Sequence, residues 1–411
     1  MSAPPLAIDA LREALAFEPQ GERVGNLGWG RGMLDGGAVR VALVENRFAG
    51  GSIGAAEAER LGALLKVAAL ERSPLILYLD SAGAKVSEGL KALGAFRAVY
   101  RAGLEAAASG APMAAVLGSN CYGGASMLAH LAPMRLFSPN TQLSMSGPAI
   151  LAAAAGTSAI DEMFRAMARA ALSGAARAKS SAANSVWEPG GDMASWLRAA
   201  LGAKAPDFHA RHLALASRLA SPLPGTNWEA VYRRELEKIY AEGYEARESR
   251  GLLEGRGQRG GAEEAFVGLV GRQPLGAERA WRFADLVWKH AAKPPAHLEV
   301  ILDCASHAAR LDDERLVLSE FIANMSTALW GLAARGTRVG LTIAGQAGGG
   351  VYVALAAPAH RVASVYGAEI QVLPGAAVAA ILGQSNDTVP TFVDYRAAGV
   401  ADEELKLGLL P

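Results

Sequence analysis

Cysteine, aromatic residues and net charge are all scarce in this sequence. Its 411 residues include two cysteines, Cys121 and Cys304, which lie far apart in the chain. Two distant thiols exclude a disulfide scaffold and a cysteine-rich metal site, and they fit a reducing compartment. Basic and acidic residues number 40 each. The chain therefore has no overall field that would attract nucleic acid or an anionic membrane.

Long apolar runs and a secretory signal are also missing. The apolar runs are rich in alanine, shorter than about 18 residues and broken by Gly or Ser, so we expect none to span a bilayer. The N-terminus carries acidic residues and no apolar core with a cleavage site. The length predicts two domains of about 150–200 residues each. We therefore expect a cytoplasmic globular enzyme or enzyme subunit.

Glycine is abundant, with 47 copies, and it clusters where predicted strands end and helices begin. Such turns let a backbone approach a ligand closely. One unit with this pattern begins near Val39. Its predicted elements are a strand at 39–48, a helix at 55–72, a buried strand at 74–80, a helix at 90–109, a strand at 113–118, a glycine turn at 119–126, a helix at 127–132, a strand at 134–139 and a Gly147-Pro148 breaker.

The same order of elements recurs in the second half of the chain. A strand at 297–303 is followed by a loop at 304–314, a helix at 319–336, a strand at 339–345 and a glycine turn at 346–350, and the unit closes at Pro374-Gly375. The intervals agree: Asp80 to Gly123 is 43 residues and Asp303 to Gly348 is 45, while Gly118 to Gly147 is 29 and Gly345 to Gly375 is 30. Matching intervals in the same order indicate an internal duplication.

The segment between the two units is rich in glycine and charge. Residues 221–250 predict a helix after a Pro-rich turn, and residues 251–265 predict a linker. We therefore place an N-terminal domain at residues 1–255 and a C-terminal domain at 256–411.

In each unit, two neighbouring strands end in small, glycine-containing loops that precede a helix. Backbone N–H groups at such turns lack intrahelical acceptors. Two turns side by side would aim N–H donors at one point, as in an oxyanion hole for a thioester becoming an enolate. The alternative is that these are only tight turns in a doubly wound sheet. Phosphate-binding motifs and a nucleophile elbow are absent from the sequence.

Few side chains are candidates for acid–base or nucleophilic chemistry. His130 fits a packed helix residue. His307 lies in a loop at a strand end and has two interpretations, a proton donor or a residue without a catalytic role. Cys121 and Cys304 fit small residues in crowded loops better than nucleophiles.

Two further groups of polar residues have competing explanations. His209 and His212 follow Asp207, but we expect them to face solvent at a helix start rather than to bind metal. Lys85 and Glu88 lie in the first loop, where Lys85 either meets a carboxylate or phosphate or is solvated.

Several segments of the sequence resemble a known family. Residues 50–60, 80–89, 118–126 and 145–148 resemble the β subunit of biotin-independent malonate decarboxylase and, more broadly, the acyl-CoA carboxyltransferases. Residues 297–303, 345–362 and 368–375 resemble the γ subunit of the same enzyme. The likeness covers about residues 25–200 and 265–385 and describes a divergent, fused member.

This resemblance implies an α/β fold of two tandem crotonase-like domains, built as a ββα superhelix. It places the thioester oxyanion site at Ala82, Gly83, Gly123 and Gly124, with Ala305, Ser306, His307, Gly348 and Gly349 as its counterparts in the second half. Residues expected to contact the substrate are Ser81, Lys85, Glu88, Cys121, Tyr122, Ser146 and Gly147. The sequence departs from the family pattern at Ala82, Lys85 and Ala149.

The activity implied by the resemblance is decarboxylation of a malonyl thioester to an acetyl thioester and CO2. The carrier would be an acyl carrier protein or coenzyme A, with no covalently bound cofactor and no metal, in a dimer or larger homo-oligomer. Three alternatives remain: a biotin-dependent carboxyltransferase component, a non-catalytic carrier-docking subunit, and a CoA-thioester hydratase or isomerase.

Overall fold

The computed structural model describes residues 7–138, 140–156, 162–219, 236, 237, 239–373, 378 and 390–405. These residues form two compact units. The first unit comprises Met1–Glu88, Ala98–Pro206 and Ala309–Glu320, and the second comprises Gly89–Arg97, Asp207–Ala308 and Phe321–Pro411.

An eight-stranded sheet organises the first unit, in the order β1-β2-β3-β4-β5-β6-β8, with β7 paired to β5. Strands β1 to β3 are antiparallel, and pairing from β3 onward is parallel. Its strands are β1 (Glu18–Pro19), β2 (Leu27–Leu34), β3 (Gly37–Val44), β4 (Leu75–Ser81), β5 (Met113–Tyr122), β6 (Met134–Phe137), β7 (Gln142–Ser144) and β8 (Asn184–Val186).

The second unit repeats this sheet strand for strand. Its order is β16-β14-β13-β12-β11-β10-β9, with β15 paired to β13, and it again has an antiparallel start and parallel pairing afterwards. Its strands are β9 (Tyr244–Ser249), β10 (Leu252–Arg259), β11 (Ala262–Leu269), β12 (His297–Cys304), β13 (Arg338–Gly348), β14 (Arg361–Val365), β15 (Glu369–Gln371) and β16 (Glu403–Leu405).

Helices cover these sheets with their apolar sides. The described helices are α1 (Ala7–Ala14), α2 (Ala55–Glu71), α3 (Gly89–Ser109), α4 (Gly124–Ala129), α5 (Pro148–Ala154), α6 (Glu162–Leu172), α7 (Gly174–Ala178), α8 (Met193–Leu201), α9 (Phe208–Ala216), α10 (Ala277–Lys289), α11 (Leu311–Arg315), α12 (Leu318–Ala333), α13 (Gly349–Ala356) and α14 (Phe392–Ala397). In α2, Leu61, Leu65 and Ala68 are buried at helical spacing. None of the helices in the described part of the chain has the length and apolar character needed to cross a membrane.

The core of the first unit lies between its sheet and the two helices α1 and α8. Val41, Ile76 and Val116 come from three adjacent strands and pack with Leu11 and Leu197 in one buried cluster. Strands β4 and β12 are buried along almost their whole length, which is typical of parallel strands covered on both faces. Their carboxyl ends are thereby held in fixed positions.

The predicted linker at residues 251–265 is wrong, because this segment contains β10 and the start of β11, which pair as a hairpin. Its turn uses Gly260 and Gly261, both with positive φ, as tight hairpin turns require. Within β10, a Cβ on Gly255 would lie 2.1 Å from the carbonyl oxygen of Glu245. This glycine therefore permits close packing rather than flexibility, and the predicted boundary after residue 255 falls inside a strand.

Three other expectations from the sequence need correction or lie beyond the described residues. The helix predicted over 221–250 is wrong at its end, because 244–249 form the edge strand β9. The loop predicted over 304–314 contains the start of the short helix α11. The closing pair Pro374-Gly375 lies outside the described residues.

Candidate active site

The site of the first unit lies where β4 and β5 end side by side. These strands are parallel neighbours, and their register shifts between Leu79 and Ser81. This irregularity brings Gly83 against the glycine turn: a Cβ on Gly83 would lie 2.8 Å from the carbonyl oxygen of Tyr122 and 3.4 Å from the amide nitrogen of Gly124. The two loops predicted to form one site are therefore in contact.

Asp80 ties the two strand ends together. Its carboxylate accepts hydrogen bonds from the amides of Ser119 at 3.1 Å and Asn120 at 3.0 Å. Gly118 provides the space, since a Cβ there would lie 2.4 Å from the Cβ of Asp80. Burial raises the pKa of the Asp80 carboxyl, and the two amide hydrogen bonds act in the opposite direction.

Three of the four predicted oxyanion amides already have acceptors within the unit. The Ala82 N–H donates to Gly50 O at 2.7 Å, and the Gly123 N–H donates to Ser144 O at 3.0 Å. The Gly83 N–H donates to the Ser81 hydroxyl at 3.0 Å. Donation to a substrate oxygen would therefore compete with bonds that these amides already make.

Gly124 is the remaining amide of the predicted set. It is the first residue of α4, where N–H groups have no intrahelical acceptor. Within the described ranges no acceptor for its N–H is found, and the residue is partly exposed. Because the preceding Gly123 has a φ of 55°, a glycine is favoured at this turn. The Gly124 N–H is thus the donor best placed for an oxyanion.

Lys85 and Glu88, predicted to contact substrate, make contacts within the first unit. The Glu88 carboxylate accepts from the Ala55 N–H at 2.8 Å at the start of α2 and pairs with the Lys85 ammonium at 3.0 Å. This hydrogen-bonded pair raises the pKa of Lys85. Glu88 therefore caps a helix, and Lys85 is held by Glu88 rather than solvated alone.

The remaining predicted contact residues surround the glycine turn. Ser81 and Cys121 are completely buried, and burial raises the pKa of the Cys121 thiol, which argues against a nucleophile. The Tyr122 hydroxyl donates to the Gln142 side chain at 2.9 Å. Gly147 lies against the Tyr122 ring, and Ser146 is buried. These residues shape the turn.

The second unit has an equivalent turn, displaced by one residue from its predicted position. In the first unit, Tyr122 pairs with the last residue of β7, and Gly123 comes next. In the second unit, Gly348 pairs with the last residue of β15, and Gly349 comes next. Gly349 also has a φ of 52°, close to that of Gly123. The counterparts of Gly123-Gly124 are therefore Gly349-Gly350, not Gly348-Gly349, because β13 is longer than the spacing indicated.

Side chains fill the turn of the second unit. Ser306 occupies the position of Gly83, and a Cβ on Gly349 would lie 3.2 Å from the Ser306 hydroxyl oxygen. That hydroxyl lies 3.3 Å from His307 Nδ1. Burial lowers the pKa of His307 to about 4, so its imidazole is neutral at pH 7. Gly349 and Gly350 are buried, unlike Gly123 and Gly124.

His130, His212 and Cys304 are buried side chains. His130 is buried, as predicted, and its Nε2 lies 2.9 Å from the Ser319 hydroxyl. The expectation that His212 faces solvent is wrong: it is 1% exposed, stacks on Trp281 and contacts the Asn324 amide at 3.0 Å. Burial raises the pKa of the Cys304 thiol.

One group of side chains has the composition of a metal site. Glu264, His297 and Glu299 bring their ligand atoms within 4.8 Å of one another. Arg259 bridges Glu264 at 2.9 Å and Glu299 at 3.3 Å, and Arg361 contacts Glu299 at 2.8 Å. Two guanidinium groups on the buried carboxylate make this a buried ion-pair network, which is unsuited to a cation.

Glu314, which the sequence did not single out, is the most perturbed carboxyl beside the candidate site. It lies on α11, in the segment 309–320 that belongs to the first unit. Its side chain is completely buried and accepts from the amides of Ser146 at 2.8 Å and Met145 at 3.2 Å. Burial raises its pKa to about 7. The only signal in the sequence is an acidic run in a loop expected to be irregular.

Comparisons with known protein families match both halves of the chain. Residues 22–188 match the carboxyl transferase domain, and residues 270–398 match the malonate decarboxylase gamma subunit. The predicted resemblance is confirmed. The two equivalent sheets confirm the predicted α/β fold with two tandem halves.

Individual relatives are similar to parts of the chain. The acetyl-coenzyme A carboxylase carboxyl transferase subunit beta 1 of Roseiflexus castenholzii is 35% identical over 123 residues, which are 30% of this chain and 41% of the relative. The methylmalonyl-CoA carboxyltransferase 12S subunit of Propionibacterium freudenreichii is 27% identical over 146 residues, 35% of this chain and 28% of that protein. The chain thus spans less than half the length of these curated relatives.

A solved structure is also similar. The Pseudomonas malonate decarboxylase hetero-tetramer in complex with malonate has a chain 20% identical to this one, with a TM-score of 0.46; the match covers 54% of this chain and 92% of that chain.

Proposed function

We propose that the chain decarboxylates a malonyl thioester, giving an acetyl thioester and CO2. The observation that carries this proposal is the contact between the Gly83 loop and the glycine turn, in which the Gly124 nitrogen lies 3.4 Å from the position that a Cβ on Gly83 would occupy. Support comes from the match of residues 270–398 to the malonate decarboxylase gamma subunit and of residues 22–188 to the carboxyl transferase domain.

In the proposed reaction, the bond between the malonyl carboxylate and Cα breaks and CO2 leaves. The electron pair of that bond moves toward the thioester carbonyl, which becomes an enolate oxygen. The Gly124 N–H donates to this oxygen, and removing one such donor typically costs about 3–4 kcal/mol of transition-state stabilisation. A proton from water then adds to Cα and completes the acetyl thioester. His307, neutral at pH 7, offers no imidazolium proton for this step.

The thioester carrier in this proposal is coenzyme A or the CoA-like arm of an acyl carrier protein. No covalently bound cofactor and no metal enter the reaction. We further propose that the chain works as a homo-oligomer of at least two copies, without nucleic acid or membrane as a partner, in the cytoplasm.

The second candidate is a biotin-dependent carboxyltransferase component. It is favoured by the carboxyl transferase match over residues 22–188. In that reaction an acyl thioester would lose a Cα proton to form the enolate, the bond between carboxybiotin nitrogen and its carboxyl group would break, the released CO2 would bond to Cα, and the proton would end on the biotin nitrogen. These 411 residues contain no biotin attachment segment, so this reaction would need a biotin carrier that lies outside them.

Mass spectrometry of the purified chain incubated with malonyl-CoA, and separately with a malonylated carrier protein, tests the proposal. We expect acetyl thioester and CO2 without added biotin. If neither substrate gives acetyl thioester, the decarboxylase proposal fails. Transfer of labelled carboxyl from carboxybiotin to acetyl-CoA would instead identify the carboxyltransferase. Tight carrier binding without either reaction would indicate a docking subunit.

A further inference from the structure

The carboxylate of Glu314 is bound to the loop that supports the glycine turn. It accepts the amides of Ser146 at 2.8 Å and Met145 at 3.2 Å, which directly follow β7. Its own segment is anchored nearby, because Ser319 contacts His130 at 2.9 Å. A completely buried carboxylate is costly unless its oxygens are hydrogen-bonded, so these amide bonds are maintained against a large desolvation cost.

The loop held by Glu314 in turn holds the turn of the candidate site. Ser144 O accepts the Gly123 N–H at 3.0 Å, and the Ser144 hydroxyl donates to Ser146 O at 2.8 Å. The chain of contacts therefore runs from Glu314 through Met145 and Ser146 to Ser144, and from there to the residue before Gly124.

Arg177 holds β7, the strand that leads into this loop, through a backbone carbonyl group. Its Nε and Nη2 donate to Leu143 O at 3.0 and 2.8 Å, and the side chain is 2% exposed. The positive charge of Arg177 favours the ionised form of Glu314, whereas Asp313 on the same helix opposes it. On α6, which packs against α11, Glu162 and Arg169 are exposed.

We propose that Glu314 is a positioning residue for the first glycine turn: by holding the Met145 and Ser146 amides, it keeps the Gly123 N–H on Ser144 and so leaves the Gly124 N–H free to reach the thioester oxygen. This inference rests on the proposed function for its catalytic consequence. Its structural part, the coupling of Glu314 to the glycine turn, does not depend on the substrate.

Ionisation of Glu314 should control this coupling. The ionised carboxylate accepts both amides strongly, whereas the acid form accepts them more weakly. Since burial raises the pKa of Glu314 to about 7, the turn should tighten as the pH rises through neutrality.

Hydrogen–deuterium exchange and steady-state kinetics on the full-length chain test the proposal, using Glu314→Gln. The glutamine keeps the size but turns an NH2 group toward one of the two amides. We expect faster exchange in peptides covering 119–127 and 143–147, with peptides covering 345–350 unchanged. With malonyl-CoA, kcat should fall about 10- to 100-fold, as for small misplacements of catalytic groups, and KM should change less than twofold. A rise in kcat with a midpoint near pH 7 should be present in the wild type and lost in the variant.

Asp312→Asn is the matched control, because Asp312 lies on the same helix and its side chain is 87% exposed. It should leave both exchange and kcat unchanged. Unchanged exchange at 119–127 in Glu314→Gln, or a retained pH midpoint, overturns the inference. If Glu314→Gln is globally less stable, Glu314→Asp replaces it, since it keeps the charge but shortens the reach and should retain the midpoint. A wild type without turnover rejects the proposed function, while the exchange data still decide the role of Glu314.

Discussion

The two glycine turns have the same backbone but different contents. Gly123 and Gly349 have φ angles of 55° and 52° at equivalent positions, and Asp80 and Asp303 both accept amides from the neighbouring strand. In the first unit the facing loop offers Gly83. In the second unit, Ser306 occupies the equivalent position. A Cβ added to Gly349 would lie 3.2 Å from the Ser306 hydroxyl oxygen, which is a crowded contact.

The two halves therefore share one fold but differ in the side chain that faces the turn; under the proposed function, we expect the first turn alone to hold the thioester. Conserving the turn requires only glycines and a tethering carboxylate, which both halves have. Opening the turn to a ligand requires a residue without a side chain opposite it, which only the first half has. The same divergence occurs at the helix starts, where Glu57 in the first unit accepts the Gly54 amide, while Arg279 in the second donates to Gln273 O.

Filling the open turn should have the largest effect. In Gly83→Ala, the new Cβ would lie 2.8 Å from Tyr122 O and 3.4 Å from the Gly124 nitrogen. We expect kcat/KM for malonyl-CoA to fall about 100- to 1,000-fold, as for loss of an oxyanion donor. Gly110→Ala is the control: Gly110 also has a positive φ, of 79°, but its Cβ would meet no described atom within 4 Å. Equal losses in both variants would attribute the effect to backbone strain alone.

The units should also differ in how pH affects stability. Glu314 has its pKa raised from 4.5 to about 7, so its contribution to stability is complete below pH 4.5 and is lost as the pH rises through 7. His307 has its pKa lowered from 6.5 to about 4, so its contribution is lost as the pH falls from 6.5 through 4. Each effect is at most about 3.5 kcal/mol, and it is smaller for His307, which is partly exposed.

Urea unfolding between pH 4 and 8 measures this contrast in the wild type, Glu314→Gln and His307→Gln. Relative to the wild type, Glu314→Gln should gain stability as the pH rises, and His307→Gln should gain it as the pH falls. Parallel pH curves for all three proteins would refute the opposed dependences.

The sequence predicted most of the parallel core, because apolar strands such as 75–81 and glycine breaks leave clear patterns. It did not predict β2, and it assigned β10 to a linker; the glycines at 30 and 255 in these strands each allow close packing. It located the contact between the loops of 81–83 and 122–124, which follows from adjacent parallel strands. The sequence could not identify the acceptors of the Ala82 and Gly123 amides or the burial of Glu314. These features depend on contacts between distant segments, which leave no local pattern in the sequence.

Substitutions at Asp80 and Asp303, which accept amides of the neighbouring strand, should have a smaller effect. Asp80 accepts two amides, whereas Asp303 accepts the Gln346 N–H at 2.8 Å and also pairs with Arg272 at 3.4 Å. Asp80→Asn places an NH2 group against an amide and should lower unfolding free energy by about 1–3 kcal/mol, with roughly tenfold lower activity. Asp303→Asn should destabilise comparably by urea unfolding but leave activity within about twofold. Loss of activity in both would contradict the expectation that the first turn alone holds the thioester.

The smallest effect should come from emptying the second turn. Ser306→Gly removes the hydroxyl 3.3 Å from His307 and restores the residue that the first unit has at this position. If the second turn binds no thioester, kcat and KM for malonyl-CoA should stay within about twofold of the wild type, because Gly83 and Gly124 are untouched. The stability loss should be about 0.5–1.5 kcal/mol, from one hydrogen bond and greater backbone freedom. A gain in acyl-CoA binding sites per chain, measured by isothermal titration calorimetry, would show that one hydroxyl is what closes the second turn. A loss of turnover would show instead that Ser306 takes part in the reaction, and the assignment of the reaction to the first turn alone would then be wrong.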